Sequence, residues 1–197
     1  MNESDQEVRL DLDDGSQVHA AHVVIATGYE VEGEIPPGFS LGSSYAFGTP
    51  PGQTAPWTQD AMIWEASDPY LYLRTTADGR IIVGGEDEDF VDPGRRDGLI
   101  QAKAERLREK ARTRLPGFDL QIDCAWAATF GSSEDGLPAV GRRNGQRRTF
   151  VAHDFGGNGI AFAALAADIL ARALKNATTE ADRLFGPDRF AHGALDR

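Results

Sequence analysis

Alternating apolar and polar positions predict two β-hairpins in the first half of the chain. Residues 8–12 alternate as Val-Arg-Leu-Asp-Leu, and the turn residues Asp-Asp-Gly-Ser separate them from a second segment at 17–21. In the same way, residues 70–74 are predicted to pair with residues 80–84 across a turn that contains Gly79. Both patterns indicate antiparallel sheets with one face toward a core.

Two continuous apolar runs predict strands of a different kind. Residues 23–26 (Val-Val-Ile-Ala) are mostly β-branched and stop at Thr27-Gly28, while residues 149–153 (Thr-Phe-Val-Ala-His) lead into a glycine-rich segment. A strand that is covered on both faces of a parallel sheet shows no alternation. We therefore expect both strands to be buried, and a further strand near residues 122–127.

Helical periodicity appears in two later segments. Between about residues 97 and 115, apolar residues recur at spacings of three and four, Asp97 can cap the start, and Pro116-Gly117 ends the pattern. From about residue 160 to residue 175 the chain is alanine-rich and apolar around much of the helical circumference. We expect this second helix to be well buried.

Composition and charge limit the classes of partner and cofactor that are expected for this chain. The chain has 197 residues and a formal net charge of -11, and so acidic a surface argues against nucleic-acid and anionic-membrane partners. No basic, apolar leader follows Met1 and no apolar run suggests a membrane span, so a cytoplasmic location is expected. The single cysteine excludes an intrachain disulfide, and the four histidines lack metal-ligand spacing, so no metal is expected.

The segment Gly156-Gly-Asn-Gly159 is the main candidate for chemistry. It lies where a helix is predicted to begin, so its glycines let a ligand approach the backbone, and the first N–H groups of the helix are partly positive. Such a site suits a group that gains negative charge. The alternative is a glycine-rich turn that merely allows tight strand–helix packing, and the segment alone leaves both interpretations open.

Three segments, taken in order, resemble the C-terminal half of a known enzyme family. They are the strand ending in Ala-Thr-Gly at 24–28, the segment at 126–141 with its Asp-Gly-Leu-Pro turn, and the strand, glycine loop and helix at 150–174. This ordered set is similar to the flavoenzymes of the D-amino-acid oxidase, glycine oxidase and sarcosine oxidase superfamily. The resemblance covers residues 8–175.

The resemblance implies a mixed α/β fold. A partial FAD-binding, Rossmann-like domain would hold an inserted antiparallel substrate-domain sheet. In this sequence, residues 1–38 would be the C-terminal part of the FAD-binding domain and residues 39–125 the substrate domain, which includes the helix at about 97–115. Residues 126–175 would return to the FAD-binding domain, and residues 176–197 would form a tail.

The resemblance also implies FAD as cofactor and a set of positions that contact it. These are Ala26, Thr27, Gly28, Phe130, Gly131, Asp135, Gly156, Gly157, Asn158, Gly159 and Ile160. Residues 26–28 would pass the adenosine side, residues 156–160 would present backbone to the N1/C2 edge of the flavin, and the others would lie near the ring or its ribityl chain. The implied reaction is hydride transfer to flavin N5 from a small-molecule amine or amino acid, followed by imine hydrolysis and reoxidation by an acceptor.

One departure from the family leaves the substrate open. Amino-acid oxidases of this family commonly place an arginine for the substrate carboxylate just before the Asp-Gly turn, where this chain has Phe130. Arg74 is a candidate substitute, and the alternative is an ordinary surface residue of a strand. The substrate is therefore not necessarily an α-amino acid.

Further candidates near the site are aromatic or titratable. Tyr45, Tyr70 and Tyr72 are candidate pocket aromatics, and core packing is the favoured alternative. His153 ends a strand beside the glycine loop, so it is a candidate proton donor or hydrogen-bond partner to the flavin. The catalytic candidates are thus His153, Arg74 and Tyr45.

A second departure is the missing phosphate cradle. The sequence contains no Gly-x-Gly-x-x-Gly pattern, which in dinucleotide-binding folds holds the pyrophosphate. The chain is therefore interpreted as a C-terminal fragment that is inactive alone, with an N-terminal half as partner or with self-association through the edge of strand 23–26. The alternatives are a non-catalytic interaction module derived from the same fold and one subunit of a split flavoenzyme.

Overall fold

The chain folds into two compact units. The structure, a computed structural model, describes residues 1–30, 37–55, 57 and 61–190. Unit 1 comprises Met1–Ser40 and Phe130–Arg197, and unit 2 comprises Leu41–Thr129. The described residues form several sheets and helices, which confirms the mixed α/β class.

Unit 1 begins with a three-stranded antiparallel sheet. Its strands are β1 (Asn2–Glu3), β2 (Val8–Asp11) and β3 (Gln17–Ala20), in the order β1-β2-β3. Gly15, with a φ of 82°, lies in the β2–β3 turn in the left-handed conformation that glycine adopts without strain. The predicted first hairpin is confirmed.

A second sheet of unit 1 joins strands that are far apart in sequence. The strands β10 (Ala139–Arg142), β11 (Thr149–His153) and β4 (Val23–Ile25) lie in the order β10-β11-β4, and β11 is parallel to β4. All of β11 is buried, as expected. In β4, however, Val24 is 42% exposed, and β4 lies at the edge of the described sheet. The expectation that β4 is covered on both faces was wrong for the described chain.

Helix α3 (Gly159–Leu174) follows β11. It buries Ala166, Ile169 and Ala173 and packs in a core cluster with Val140 of β10. The other side of the helix is an exposed apolar stripe with helical spacing, formed by Ile160, Ala164, Ala167, Ala171 and Leu174. The prediction of a well-buried helix was wrong, because apolar composition does not reveal whether a neighbour covers each face.

The apolar character of this helix has a second consequence. The segment Gly156–Leu174 is long and apolar enough to cross a bilayer, with 19 residues and a mean hydropathy of 1.3. The apolar runs of the sequence had predicted no membrane-spanning segment. Core helices of soluble proteins meet the same length and composition criterion, so these two properties alone do not identify a membrane helix.

The tail after α3 is packed onto unit 1 as far as the structure describes it. Its 3₁₀ turn, Ala181–Phe185, carries the buried Asp182, which accepts hydrogen bonds from Nε of Arg172 at 3.0 Å and from its Nη2 at 2.6 Å. The hydrogen bond from Arg172 lowers the pKa of Asp182. Phe185 adds an apolar contact to the α3 core cluster. No local sequence pattern predicted this docking.

Unit 2 is organised around a five-stranded sheet. The order is β6 (Ile63–Trp64), β7 (Leu71–Thr75), β8 (Ile81–Glu88), β5 (Phe39–Gly48) and β9 (Cys124–Ser133). Strands β7 and β8 pair antiparallel, which confirms the second predicted hairpin. Strands β5 and β9 contain the points where the chain passes from one unit to the other.

Two helices of unit 2 replace the single predicted one. Helix α1 (Pro93–Gly98) is capped by Asp92, whose carboxylate accepts from the backbone N–H of Arg95 at 2.7 Å, so the predicted cap at Asp97 was wrong. Helix α2 (Ile100–Arg114) follows after one residue. The apolar spacing predicted the helical segment, but the hydrogen bonding at the start of the helix decided where each helix begins.

The core of unit 2 lies between α2 and one face of the sheet. Side chains from alternate positions of the strands interlock with the buried side of α2. The buried members of this core are Tyr45, Phe47, Leu71, Leu73, Ile81, Val83, Ala104, Leu107, Ala111 and Leu120. The opposite face of the same sheet therefore carries the intervening residues.

Candidate functional site

The carboxyl ends of β4 and β11 bring two predicted segments to one edge of the sheet in unit 1. Val24 pairs with Phe150 and Ile25 with Val151, so the parallel strands end side by side. Ala26, Thr27 and Gly28 leave β4 at this edge, and the glycine loop leaves β11. In α/β folds, ligands bind just outside the carboxyl ends of such strands. The predicted adenosine-side and flavin-side segments thus share an edge.

The glycine loop presents an open backbone at the start of α3. Residues Gly156–Asn158 form a 3₁₀ turn, Gly156 has a φ of 54°, and α3 begins at Gly159. A β-carbon added at Gly156, Gly157 or Gly159 would find no atom within 4 Å. Asn158 makes no side-chain capping bond, and the first turn of α3 holds no acidic residue. This geometry fits a hydrogen-bond-accepting, partly negative ligand edge.

A buried histidine–aspartate pair precedes the loop. Nδ1 of His153 contacts Oδ2 of Asp154, and their side chains are 7% and 3% exposed. Asp154 has a φ of 57°, which is uncommon for a residue other than glycine. A β-carbon at Gly131 would lie 1.9 Å from Oδ1 of Asp154, so a larger residue there would displace that carboxylate. The structure therefore brings together His153 and Gly131, both predicted, with Asp154.

Asp154 is a residue that the sequence reasoning missed. A signal was present, since an acidic residue directly after a buried strand and before a glycine run is an unusual neighbour for apolar packing. The sequence did not show that Asp154 packs against Gly131, which lies 23 positions earlier in the chain. This contact couples the segment after Phe130 to the start of the glycine loop.

Aromatic rings cover the other side of His153. The ring of Phe39 meets that of His153 edge-on, with centroids 5.9 Å apart, and meets Phe190 at 5.3 Å. The guanidinium of Arg189 lies 5.1 Å from the centroid of Phe39 and 4.6 Å from that of Phe190. Cation–π and edge-to-face contacts thus hold the tail against this part of unit 1.

Asp135 is held in the turn that follows β9. Its carboxylate accepts from Oγ of Ser133 at 2.9 Å, from the backbone N–H of Leu137 at 3.0 Å, and from Nε and Nη2 of Arg189 at 2.7 and 2.8 Å. The hydrogen bond from Arg189 is the main reason why the pKa of Asp135 is lowered to about 2. Asp135, which was predicted to approach the flavin, binds Arg189 and so holds the tail on unit 1.

Replacing Asp135 by asparagine is expected to loosen this tail. Loss of the charged, bidentate pair should lower the free energy of unfolding by about 1 kcal/mol. Because the pKa in the folded state is lowered, wild-type protein should lose the same contribution as the pH falls from 3.8 toward about 2. Limited proteolysis near Arg189 and thermal unfolding measure both effects.

The neighbouring exposed residue Glu134 supplies the matched control for that experiment. Glu134→Gln removes one negative charge from the same turn and leaves the Asp135–Arg189 pair in place. It should leave the rate of tail cleavage unchanged. Equal cleavage rates in Asp135→Asn and wild-type protein would show that the pair does not hold the tail.

The other catalytic candidates lie in unit 2. Tyr45 is 1% exposed within the core, where burial raises the pKa of its hydroxyl, so its position favours the packing interpretation. Arg74 is exposed on β7, whose neighbouring positions Leu71 and Leu73 point into the core. Tyr72 shares the face of Arg74 and has a raised pKa, chiefly through burial.

The residues present fit the acceptor edge of a flavin ring. The open glycine backbone and the uncapped start of α3 match a planar ring with acceptor atoms along one edge. Among the described residues, no group of three or more His, Cys, Asp or Glu side chains is placed to hold a metal ion.

Comparison with solved structures shows one common fold. Glycine oxidase from Geobacillus kaustophilus has a TM-score of 0.66 and 18% identity, with 92% of this chain and 48% of that chain covered. L-proline dehydrogenase from P. horikoshii has a TM-score of 0.72 and 21% identity, with 98% of this chain and 53% of that chain covered. Iminodiacetate oxidase from Chelativorans sp. BNC1 has a TM-score of 0.70 and 15% identity, with 90% of this chain and 48% of that chain covered. The chain thus spans about half the length of these proteins.

Sequence comparison identifies the family. No curated protein matches the chain in sequence. The family model described as FAD dependent oxidoreductase (DAO) matches residues 2–173, which include both segments at the sheet edge and all of unit 2. The chain therefore belongs to the DAO family of FAD-dependent oxidoreductases.

Proposed function

We propose that this chain carries the flavin-ring side of an oxidoreductase that oxidises a small-molecule amine or amino acid. The observation that carries the proposal is the open glycine backbone at the uncapped start of α3, beside the end of β4. Three solved relatives, a glycine oxidase, an L-proline dehydrogenase and an iminodiacetate oxidase, are named for nitrogen-bearing compounds.

The roles of the residues follow from their positions. The backbone N–H groups at Gly157, Gly159 and Ile160 would hold the acceptor edge of the flavin ring, and residues 26–28 would lie along the adenosine side. When bound, FAD supplies a two-electron acceptor for the hydride of the C–H bond next to the nitrogen. The chain supplies orientation by its backbone and by the buried contact between Nδ1 of His153 and Oδ2 of Asp154, against which the ring of Phe39 packs.

A second segment is proposed to complete the cofactor site. The sequence lacks the glycine pattern that cradles the pyrophosphate, and β4 has one unpaired edge in the described sheet. The exposed apolar stripe of α3 is the kind of surface that a further helix covers. We propose that a strand and helix with Gly-x-Gly-x-x-Gly, in the same or another polypeptide, pair here in the cytoplasm. Without them, the edge should favour self-association.

The first experiment is an absorbance spectrum of the purified chain with added FAD, before and after gel filtration. The chain alone is expected to retain no flavin, and the chain joined to or co-expressed with a Gly-x-Gly-x-x-Gly segment is expected to retain it. Retention by the chain alone would contradict the need for a second segment. A folded, reconstituted protein that stays colourless would contradict the flavin assignment itself.

Two glycine substitutions test where the flavin lies. A side chain at Gly157 meets no protein atom within 4 Å, so Gly157→Leu should leave unfolding nearly unchanged while it blocks close approach of a ligand. We expect the reconstituted variant to lose at least tenfold in FAD affinity, roughly the value of one to two backbone hydrogen bonds. Gly98→Leu, at an equally open position of α1, is the control that should bind FAD normally.

A further inference from the structure

A cleft with a volume of about 330 Å³ lies at the end of the unit 1 sheet opposite the glycine loop. It is found at the amino ends of β4 and β11, whereas the glycine loop follows the carboxyl end of β11. Strand β11 has five residues and spans about 16 Å, so the cleft is separate from the candidate flavin edge. The residues that line the cleft are Asp5, His22, Arg142, Arg147, Arg148, Ala173, Leu174 and Asn176.

Positive charge dominates the walls of this cleft. Among the residues that the structure describes, three guanidinium groups line it with one carboxylate, that of Asp5, although the net charge of the chain is -11. Glu3 lies next to the cleft, but its carboxylate already accepts from the backbone N–H of Arg148 at 3.1 Å and from Oγ1 of Thr149 at 2.7 Å. Even with Glu3 included, the positive groups outnumber the carboxylates. A concave surface with such an excess attracts anions.

Arg148 is held in place by groups that do not neutralise its charge. Its Nε and Nη2 donate to the carbonyl oxygen of Asp5 at 3.1 and 2.5 Å, and its Nη1 donates to that of Ala21 at 3.0 Å. These bonds occupy three of the five N–H groups of the guanidinium. A cation that is already ordered loses little conformational entropy when an anion binds, so Arg148 is prepared for a charged acceptor.

Arg142 and Arg147 complete the cationic wall. Nη2 of Arg142 donates to Oδ1 of Asn176, a neutral amide, at 3.1 Å, and the Arg142 guanidinium lies 5.4 Å from the centroid of the Phe150 ring. Nη1 of Arg147 pairs with Oδ1 of Asp5 at 3.1 Å, and both of these side chains are largely exposed. Because an exposed ion pair is weak, an anion that enters the cleft can compete with Asp5 for Arg147.

We propose that this cleft binds the phosphate monoester group of a small soluble molecule. The phosphate oxygens accept charge-assisted hydrogen bonds from Arg142 and Arg148, and the group's charge of about -2 matches the excess of positive charge better than a carboxylate does. The volume of the cleft falls within the range of small-molecule sites, about 300–1,000 Å³, which leaves room for an organic part beside His22. An anionic membrane is a poorer source of phosphate, because the net charge of the chain repels it.

The test uses the chain as it is, without flavin. The chain has four histidines, so NMR resolves the ring signal of His22, which lines the cleft, during titrations at constant, slightly alkaline pH. Glycerol phosphate and inorganic phosphate should shift this signal with saturation, and His153 at the other end of β11 should not shift. Acetate, with a single charge, should bind at least about tenfold more weakly, and chloride at equal ionic strength should cause no saturating shift.

Two pairs of variants separate the site from a general effect of net charge. Arg142→Gln removes one charge-assisted hydrogen bond and should weaken glycerol phosphate binding about tenfold, while Arg112→Gln, at an exposed position of α2, should leave it unchanged. Asp5→Asn removes the carboxylate that competes for Arg147 but keeps the Asp5 carbonyl, so binding should tighten about threefold. Asp13→Asn removes the same charge from an exposed turn and should have no such effect.

Each other outcome counts against the proposal. If Arg142→Gln fails to fold, Arg147→Gln, at a side chain that is 78% exposed, takes its place with the same expected loss. Unchanged binding in the arginine variant, equal binding of acetate, or no saturating shift at His22 would overturn the site and leave the arginines as a solvated surface near the end of α3. Co-sedimentation with vesicles that contain phosphatidic acid would overturn the assignment to a soluble molecule. None of these measurements involves FAD, so they do not depend on the proposed function.

Discussion

Replacing Gly85 by alanine is expected to lower the free energy of unfolding of unit 2 by about 3 kcal/mol. Gly85 has a φ of 136°, which side-chain-bearing residues rarely adopt, and an added β-carbon would lie 2.5 Å from the backbone carbonyl oxygen of Tyr70. Neither problem is relieved by rotating a side chain, because both involve backbone that the β7–β8 pairing holds in place. The expected loss is therefore large for a single methyl group.

The measurement is urea unfolding followed by tryptophan fluorescence. All three tryptophans, Trp57, Trp64 and Trp126, belong to unit 2, so the signal reports on that unit alone. Gly98→Ala is the control, since its β-carbon would meet nothing within 4 Å and alanine favours the helix. That variant should be neutral or slightly stabilising. Equal midpoints for Gly85→Ala and wild type would show that the β8 irregularity is not rigid.

Replacing Lys103 by methionine is expected to cost about 3 kcal/mol in the same assay. The side chain of Lys103 is only 5% exposed. Its ammonium donates to the carbonyl oxygen of Glu86 at 3.0 Å and pairs with the carboxylates of Glu86 at 3.4 Å and Glu88 at 2.5 Å. Methionine keeps the volume of the side chain but leaves the carboxylate of Glu86 buried with less compensation. Lys110→Met removes a more exposed partner of Glu86 and should cost less.

The acid dependence of unit 2 tests the same cluster. Burial alone would raise the pKa of Glu86, but the hydrogen bonds and charges of Lys110 and Lys103 outweigh it and lower the pKa below the ordinary 4.5. Because the pKa in the folded state is lowered, the ionised Glu86 stabilises the protein above pH 4.5, and this stabilisation disappears as the pH falls through the folded pKa. In Lys103→Met the loss should begin at higher pH. An unchanged acid profile in that variant would contradict the role given to Lys103.

Local sequence patterns predicted most of the elements. The alternation at residues 8–12 and 70–74 identified hairpins because a half-buried strand must place apolar side chains at every second position. The run at 149–153 identified β11, and the glycine loop after it was found at the start of α3. These predictions succeeded because each depends on residues that are neighbours in the chain.

Predictions about burial failed where a neighbour decides the outcome. The apolar runs of β4 and α3 indicated complete burial, yet Val24 and one side of α3 are exposed in the described chain. An apolar side chain shows that burial of that surface would be favourable. Whether it is buried depends on a neighbouring strand or helix that packs against it. The same limit applies to Asp97, whose place as a helix cap was taken by Asp92 through a shift of only a few residues.

The sequence by itself determined the order of strands, helices and the glycine loop, the family resemblance, and the absence of a dinucleotide-phosphate pattern. Only the tertiary structure decided which distant groups meet: Arg189 with Asp135, Asp154 with Gly131, and Asp87 with Tyr70. Those meetings depend on strand register, on one irregular backbone turn in β8 and on the path of the tail. No local pattern encodes them, because each arises from backbone geometry summed over the many residues that separate the partners.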